Sequence, residues 1–328
     1  MKLKGYFFDP PHVLGLRPPT QPAGEEPNIR HELGARQCIK FDGNHYIESH
    51  DIDSFGLSQG ELTYLGHAAF FRYRKGKSYA FNKDFLETLI KSEIKQDISA
   101  MFPDSFTGYF ALPTDTIYMQ NNKLPQPVPI TGIYISIVPP KHCHIGGFPV
   151  RDELIHLMPH PRYLWFTALT DLGDFQHGLI SGHLALDKSI QSLDDMLMLN
   201  LGATTSNLEL LKKLQTAVVL MLLYVNTAKP DLRLLKPASQ LSKSQITGLR
   251  NKGLGHEVDE NYSEDISTPV ELVSWGWNKP DLYTKERWEV PARFITYWTG
   301  QGRTLPITHW LPPTIAKRNP SLLTKREP

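Results

Sequence analysis

The sequence predicts an α+β fold, in which two or three helices pack on a central antiparallel sheet of about four to six strands. Segments rich in β-branched and aromatic residues, separated by Pro, Gly or Asp, predict the strands. They are TGYFALPTDTIYMQ, TGIYISIVPP, RYLWFTALTD and GLISGHLAL. No glycine-rich turn joins a strand to a helix, which argues against a nucleotide-binding α/β unit.

Two segments carry the periodicity of amphipathic helices. In residues 82–101, apolar side chains recur every four residues behind Asn82, which is a favourable N-cap. In residues 206–228, Ser206 and Glu209 have capping-box spacing, and the second half is apolar nearly all round. We expect this second helix to be the most buried of the fold, with a shorter helix over residues 188–201.

The domain organisation follows from where these patterns begin and end. Residues 1–60 are rich in Pro and Gly and predict an irregular N-terminal arm, followed by an α+β core over residues 61–230. Residues 231–285 predict a loop-rich insertion, and residues 286–318 a C-terminal hairpin that completes the core.

Composition bounds the class of protein. The 328 residues are 40% hydrophobic and carry a net charge of +1, which indicates a globular protein without a strong overall preference for nucleic acid. Cys38 and Cys143 form no Cys-x-x-Cys pair, which is typical of a reducing compartment. The longest apolar run, Ala217–Val225, is about half of a membrane span, and no signal peptide is apparent. We therefore expect a cytoplasmic protein with no membrane partner.

Few residues point to catalysis or to metal binding. His142, Cys143 and His144 are adjacent, and neighbours on an extended strand point to opposite faces, so a loop is favoured over a metal site. Asp171 and Asp174 suit a turn better than a pair of catalytic carboxylates. No nucleophile, zinc, phosphate-loop or kinase motif occurs. The residues therefore predict no metal and no cofactor, and they favour a binding protein while leaving an enzyme open.

The most informative stretch is ARFITYWTGQGRTLPITHWLPP, residues 292–313. RFITYW predicts a strand, TGQGRT a glycine-containing loop and PITHWLPP the return strand, so at least one of the adjacent rings of Tyr297 and Trp298 is expected in the core. Residues 285–328 hold eight basic and three acidic residues, a net charge of +5, so the rest of the chain carries −4. Aromatic rings among arginines are also typical of a surface for nucleic acid or an acidic peptide.

This stretch resembles the C-terminal signature of the type V-A anti-CRISPR family that suppresses biogenesis of the type V-A effector nuclease. That signature has Tyr-Trp, a nearby Gly-x-Gly and a later Trp-x-Pro. The matching residues here are Tyr297, Trp298, Gly300, Gly302, Trp310 and Pro312. Further segments resemble the family in the same order over roughly residues 60–315. The family has His-Trp where this chain has Arg293 and Phe294, a departure that favours recognition over acid–base catalysis.

The resemblance implies a protein that recognises the nascent N-terminal peptide of a defence nuclease during translation and triggers loss of its mRNA. Its partners would be that nascent polypeptide, the ribosome and the message. The residues expected to form or support the binding surface are Arg293, Phe294, Tyr297, Trp298, Arg303 and Trp310. The alternatives are a ribonuclease that acts directly on the message and a nucleic-acid-binding regulator of a mobile element.

Overall fold

The structure is a computed structural model. The residues it describes are 39–41, 46–48, 67, 70–71, 74–94, 98–113, 115–119, 126–140, 144–145, 148–149, 155, 158–170, 179–187, 192–194, 208–235, 242–251, 269–277 and 287–317. Several expectations fall outside these ranges, namely most of the N-terminal arm, the side chains of the His142–His144 cluster, the carboxylates Asp171 and Asp174, and most of the helix expected over residues 188–201.

The described part of the chain contains short strands and a few helices. The strands are β1 (Ile39–Phe41), β2 (Tyr46–Glu48), β3 (Lys77–Phe81), β4 (Glu93–Ile94), β5 (Phe106–Ala111), β6 (Tyr118–Met119), β7 (Val128–Val138), β8 (His144–Ile145), β9 (Phe148–Pro149), β10 (Arg162–Thr170), β11 (Leu179–Leu186), β12 (Leu232–Leu235), β13 (Val270–Val273), β14 (Arg287–Val290), β15 (Arg293–Thr299), β16 (Leu305–Leu311) and β17 (Thr314–Lys317). The α-helices are α1 (Lys83–Leu89), α2 (Leu208–Val225) and α3 (Lys243–Asn251).

A large sheet forms the centre of the molecule, with strand order β11-β10-β7-β5-β3-β13-β12 and β6 beside β7. The pairs β5–β7, β7–β10 and β10–β11 are antiparallel, whereas β3 runs parallel to both β5 and β13. The α+β prediction is therefore confirmed, and all four strand-rich segments form strands. The sheet is mixed rather than antiparallel, however, and its eight described strands exceed the four to six that the sequence predicts. Within the segment 231–285, the structure describes the short elements β12, α3 and β13.

Helix α2 covers one face of this sheet. Residues 217–225 of the helix are all buried, as expected from their apolar character. Alternate residues of β7, Ile133, Ile135 and Ile137, belong to the same apolar cluster as α2. Pro230 follows the helix within one turn, where it prevents continuation. The prediction of a deeply buried second helix is confirmed.

The opposite face of the sheet is also covered, which explains why β7 and β10 are buried almost throughout. On this face the fully buried ring of His67 stacks on Trp165, with centroids 3.8 Å apart. His67 Nδ1 lies 3.0 Å from Thr167 Oγ1, and His67 Nε2 lies 3.0 Å from Ser136 Oγ. Both ring nitrogens thus find a hydroxyl partner, which a buried polar side chain requires.

The helix expected over residues 82–101 is much shorter in the structure. Asn82 caps α1 as predicted, because its Oδ1 accepts a hydrogen bond from the Phe85 amide at 3.0 Å. The chain leaves the helix after Leu89, forms β4 and then a 3₁₀ turn over Ile98–Met101. Strand β4 pairs in parallel with β15, so tertiary pairing overrides local helical periodicity here. None of the described helices is long and apolar enough to cross a bilayer.

Candidate functional site: the C-terminal hairpin

Strands β15 and β16 form the predicted C-terminal hairpin, in the sheet order β16-β15-β4. The register pairs Arg293 with Leu311 at the base and Thr299 with Leu305 at the tip. The glycine-containing loop predicted between them occupies residues 300–304. The prediction of a closing hairpin is therefore confirmed.

The base of the hairpin is anchored in the core. Phe294 is fully buried and belongs to the main apolar cluster of the molecule. Two residues further along, Thr296 Oγ1 lies 3.1 Å from Thr308 Oγ1 across the strand pair, and both residues are buried. This half of the hairpin is structural, because its inward side chains have no exposed surface to offer a partner.

Trp310 is the second anchor of the hairpin. Its ring makes edge contacts with Phe85 (centroids 5.1 Å apart), Tyr224 (5.5 Å) and Trp277 (5.5 Å). Its indole Nε1 donates a hydrogen bond to Ser92 Oγ at 3.0 Å. These rings come from α1, α2 and the turn after β13, so Trp310 connects the hairpin to three elements of the main body.

The tip of the hairpin depends on left-handed backbone. Gly300 has φ 79° and Gly302 has φ 74°, conformations that favour glycine, and Arg303 also has a positive φ of 54°. The loop is held by hydrogen bonds from the Arg303 amide to the Gly300 carbonyl at 3.0 Å and from Thr299 Oγ1 to the Leu305 carbonyl at 3.1 Å. The two glycines therefore define the turn that presents the neighbouring side chains.

The tip presents large apolar side chains to solvent. Only six are exposed among the described residues, and four lie on this hairpin: Tyr297 (51%), Trp298 (49%), Leu305 (61%) and Ile307 (36%). The expectation that the Tyr297 or Trp298 ring lies in the core is wrong. The hairpin extends beyond the core, which ends at the buried Thr296–Thr308 pair. Apolar side chains concentrated on one exposed feature are typical of an interaction site.

The two faces of the tip differ. Cross-strand partners share a face, so Tyr297 lies beside Ile307. Two pairs further along, Thr299 and Leu305 are partners on the same face. His309 continues this side, with its ring 5.5 Å from that of Tyr297. We call it the Tyr297 face. The Trp298 face is the other side, where Trp298 is paired with Pro306.

The hairpin is positively charged. Residues 291–316 contain Arg293 and Arg303 and no Asp, Glu or Lys. Arg293 is half-buried and lies beside Glu93 in the parallel pairing of β15 with β4. Arg303 is exposed at the tip and makes no ion pair with any residue that the structure describes. The unopposed charge is thus at the same end as the exposed apolar side chains.

The structure therefore divides the six residues that the sequence singled out. Tyr297, Trp298 and Arg303 are exposed at the tip, Arg293 and Trp310 are half-buried, and Phe294 is buried. The sequence interpretation missed Leu305 and Ile307, although their alternation in LPITHW was the available signal. Cross-strand pairing brings these two residues beside Tyr297.

Outside the hairpin, a His–Asp pair joins the ends of two strands of the main sheet. His160 Nδ1 lies 2.9 Å from Asp187 Oδ2, and the His160 amide donates to the Tyr163 hydroxyl at 3.2 Å. The pair is half-buried and holds the start of β10 to the end of β11. No group of three His, Cys, Asp or Glu side chains positioned to hold a metal occurs in the described part of the chain.

Comparison with known proteins gives limited similarity. No family model matches the sequence, and no curated protein matches it. Among solved structures, the chain is weakly similar to the crystal structure of AcrVA2, an anti-CRISPR protein, with a TM-score of 0.44 and 13% sequence identity. The superposition covers 82% of this chain and 81% of that chain.

Proposed function

We propose that this protein is an anti-CRISPR-like binding protein that recognises the nascent N-terminal peptide of a defence nuclease and triggers loss of the corresponding mRNA. The observation that carries the proposal is the exposed tip of the β15–β16 hairpin, where Tyr297, Trp298, Leu305 and Ile307 face solvent. Exposed aromatic side chains on a rigid element are the usual anchors of protein recognition.

The geometry supports the functional interpretation of the sequence signature. Gly300 and Gly302 make the turn, Trp310 anchors the return strand, and the Tyr297–Trp298 pair is displayed. A motif that served only to close the core would bury its aromatic pair, because exposing two large rings forfeits their hydrophobic stabilisation. The signature therefore combines a structural frame with displayed rings, as recognition requires.

Ribosome–nascent-chain capture tests the proposal. Tagged protein is incubated with translating ribosomes, and the messages recovered with it are sequenced. The double variant Tyr297→Ala/Trp298→Ala removes the displayed rings. Tyr118→Ala is the matched control, because it removes a tyrosine of similar exposure (43%) that lies outside the hairpin. We expect enrichment of particular messages by the native protein and by the control, and its loss in the double variant.

Two further arms make the result decisive. Puromycin releases nascent chains, so it should abolish the enrichment if the peptide is what the protein recognises. Enrichment that survives puromycin, or that is equal in the double variant, would contradict the proposal. Purified protein is also incubated with RNA in the absence of ribosomes, where cleavage would support the ribonuclease alternative instead.

A further inference from the structure

We infer that the Tyr297 face binds an extended acidic peptide segment through side-chain contacts, with an apolar side chain against Tyr297 and Ile307 and a carboxylate at Arg303. This inference rests on the proposed function and specifies the chemistry of its ligand. Three observations support it: the apolar composition of the Tyr297 face, the positive charge of the tip, and the lack of a row of free backbone hydrogen-bonding groups along the edge of β16.

The Tyr297 face is a continuous apolar surface. Tyr297 and Ile307 are direct cross-strand partners. Leu305 lies on the same face, two residues before Ile307 on β16. All three are exposed, and the Tyr297 ring is oriented by its edge contact with His309 at 5.5 Å. One aromatic ring flanked by two aliphatic side chains is a surface on which an apolar peptide side chain loses its hydration.

The charge of the tip selects an acidic ligand. Arg303 is exposed in the loop, and no carboxylate occurs in residues 291–316. The other arginine of the hairpin, Arg293, lies at the base beside Glu93. A peptide carboxylate next to the apolar contact would therefore meet one unopposed guanidinium, whose planar donors suit a carboxylate.

The edge of β16 does not accept an added strand. The Thr308 carbonyl accepts a hydrogen bond at 2.9 Å from the Ala228 amide, so Thr308 directs its backbone groups away from β15. Pro306, two residues earlier, has the same orientation and has no amide hydrogen to donate. Because strand addition needs a row of free donors and acceptors, the edge of β16 is unsuited to it, and the proposed contacts are made by side chains of the Tyr297 face.

The same geometry favours a peptide over single-stranded nucleic acid. Nucleic acid is bound by successive aromatic platforms along a positively charged groove. Here Tyr297 and Trp298 lie on opposite faces, so one strand cannot stack successive bases on both rings. Leu305 and Ile307 offer no ring for stacking, and Arg303 alone is a poor match for a row of phosphates.

Fluorescence anisotropy with synthetic peptides tests the inference. The probes are labelled peptides of about twelve residues that contain one phenylalanine, flanked by glutamates, by serines or by lysines in otherwise equal sequences. We expect the full-length protein to bind the glutamate peptide about fivefold more tightly than the lysine peptide, since one exposed ion pair contributes up to about 1 kcal/mol.

Two variants test the residues. Arg303→Glu should reverse the preference toward the lysine peptide, and Tyr297→Ala should weaken binding of all peptides. Tyr118→Ala, which removes an exposed tyrosine outside the hairpin, is the matched control and should leave the affinity for the glutamate peptide unchanged. Circular dichroism verifies that each variant remains folded.

The outcomes separate this inference from the proposed function. Equal affinity for the three peptides, or tighter binding of labelled oligouridylate than of any peptide, would overturn the inference even where nascent-chain capture succeeds. Binding of the glutamate peptide with the expected effect of Arg303→Glu would uphold it even where nascent-chain capture fails, because this assay contains no ribosomes.

Discussion

Trp310 donates its indole hydrogen to Ser92 Oγ at 3.0 Å, a contact between residues 218 positions apart in the chain. Ser92 lies between α1 and β4, where the predicted helix ends and the chain turns to pair with β15. The hydrogen bond thus joins the return strand of the hairpin to the segment that pairs with its first strand. It orients the hairpin relative to the core.

Removing either partner of this bond should destabilise the protein moderately. Ser92→Ala and Trp310→Phe each remove the hydrogen bond while retaining most of the packing, and each should lower the free energy of unfolding by about 1–2 kcal/mol. Trp310→Ala also empties the space among three aromatic rings and should cost about 3 kcal/mol or more. Urea unfolding followed by circular dichroism measures all three.

The double variant Ser92→Ala/Trp310→Phe provides the control. If the two residues act through one bond, the double variant should lose less than the two single losses added together. Strict additivity would show that each residue stabilises the fold independently of the other.

Truncating side chains at the tip of the hairpin should destabilise the protein much less than truncating them at its base. Tyr297→Ala and Trp298→Ala remove half-exposed rings and should change the free energy of unfolding by about 0.5 kcal/mol or less. Phe294→Ala, three positions before Tyr297, removes a fully buried ring and should cost about 3–5 kcal/mol. Thermal unfolding of the three variants, measured side by side, would refute this division of roles if the tip variants were as destabilised as Phe294→Ala.

The sequence could predict the local features of this hairpin, but not those that depend on tertiary packing. Alternation and the Gly-x-Gly motif predicted the strands and the turn, because both are local properties. The exposure of Tyr297 and Trp298 was not predictable, since it depends on where the core ends along the strands. That end is the buried Thr296–Thr308 pair, which a pattern of hydrophobicity does not reveal.

The segment after Asn82 shows the same limit. The recurring apolar residues of this segment do enter the core. Four of them are fully buried: Phe85, Leu86, Leu89 and Ile98. The structure buries them from a helix and a 3₁₀ turn, with β4 between these elements. Periodicity identified which side chains enter the core, whereas pairing with a strand about 200 residues away decided the backbone conformation.

His67 should contribute strongly to stability through the second face of the sheet. His67→Ala removes a ring stacked on Trp165 and leaves the buried hydroxyls of Ser136 and Thr167 without this partner. We expect a loss of about 2–4 kcal/mol in the free energy of unfolding, from the combined cavity and unsatisfied hydroxyl groups.

His67→Phe separates the two contributions. It keeps a ring for stacking and removes both hydrogen bonds, so the loss should be smaller than for His67→Ala but still measurable by urea unfolding. A loss as small as that of the exposed-residue variant Tyr118→Ala would contradict the structural role assigned to the hydrogen-bonded ring.

His183 should make the stability of the protein depend on pH. Burial lowers the pKa of His183 from its ordinary 6.5 to about 4. The residue lies on β11 directly across from Trp165, with the two rings stacked 6.1 Å apart. Between pH 6.5 and 4 the unfolded chain binds a proton at this imidazole more readily than the folded protein does. The free energy of unfolding should therefore fall as the pH decreases through this window, and the contribution of His183 should be complete above it.

His183→Gln isolates this contribution from that of the other titrating groups, because glutamine does not ionise in this range. Urea unfolding at pH 7.5, 6.5, 5.5 and 4.5 should give a steeper loss of stability for the native protein than for the variant. The slopes are compared rather than the absolute values, since the substitution also alters packing against Trp165. Parallel curves would show that the folded and unfolded states bind this proton equally, and hence that the burial of His183 does not oppose its protonation.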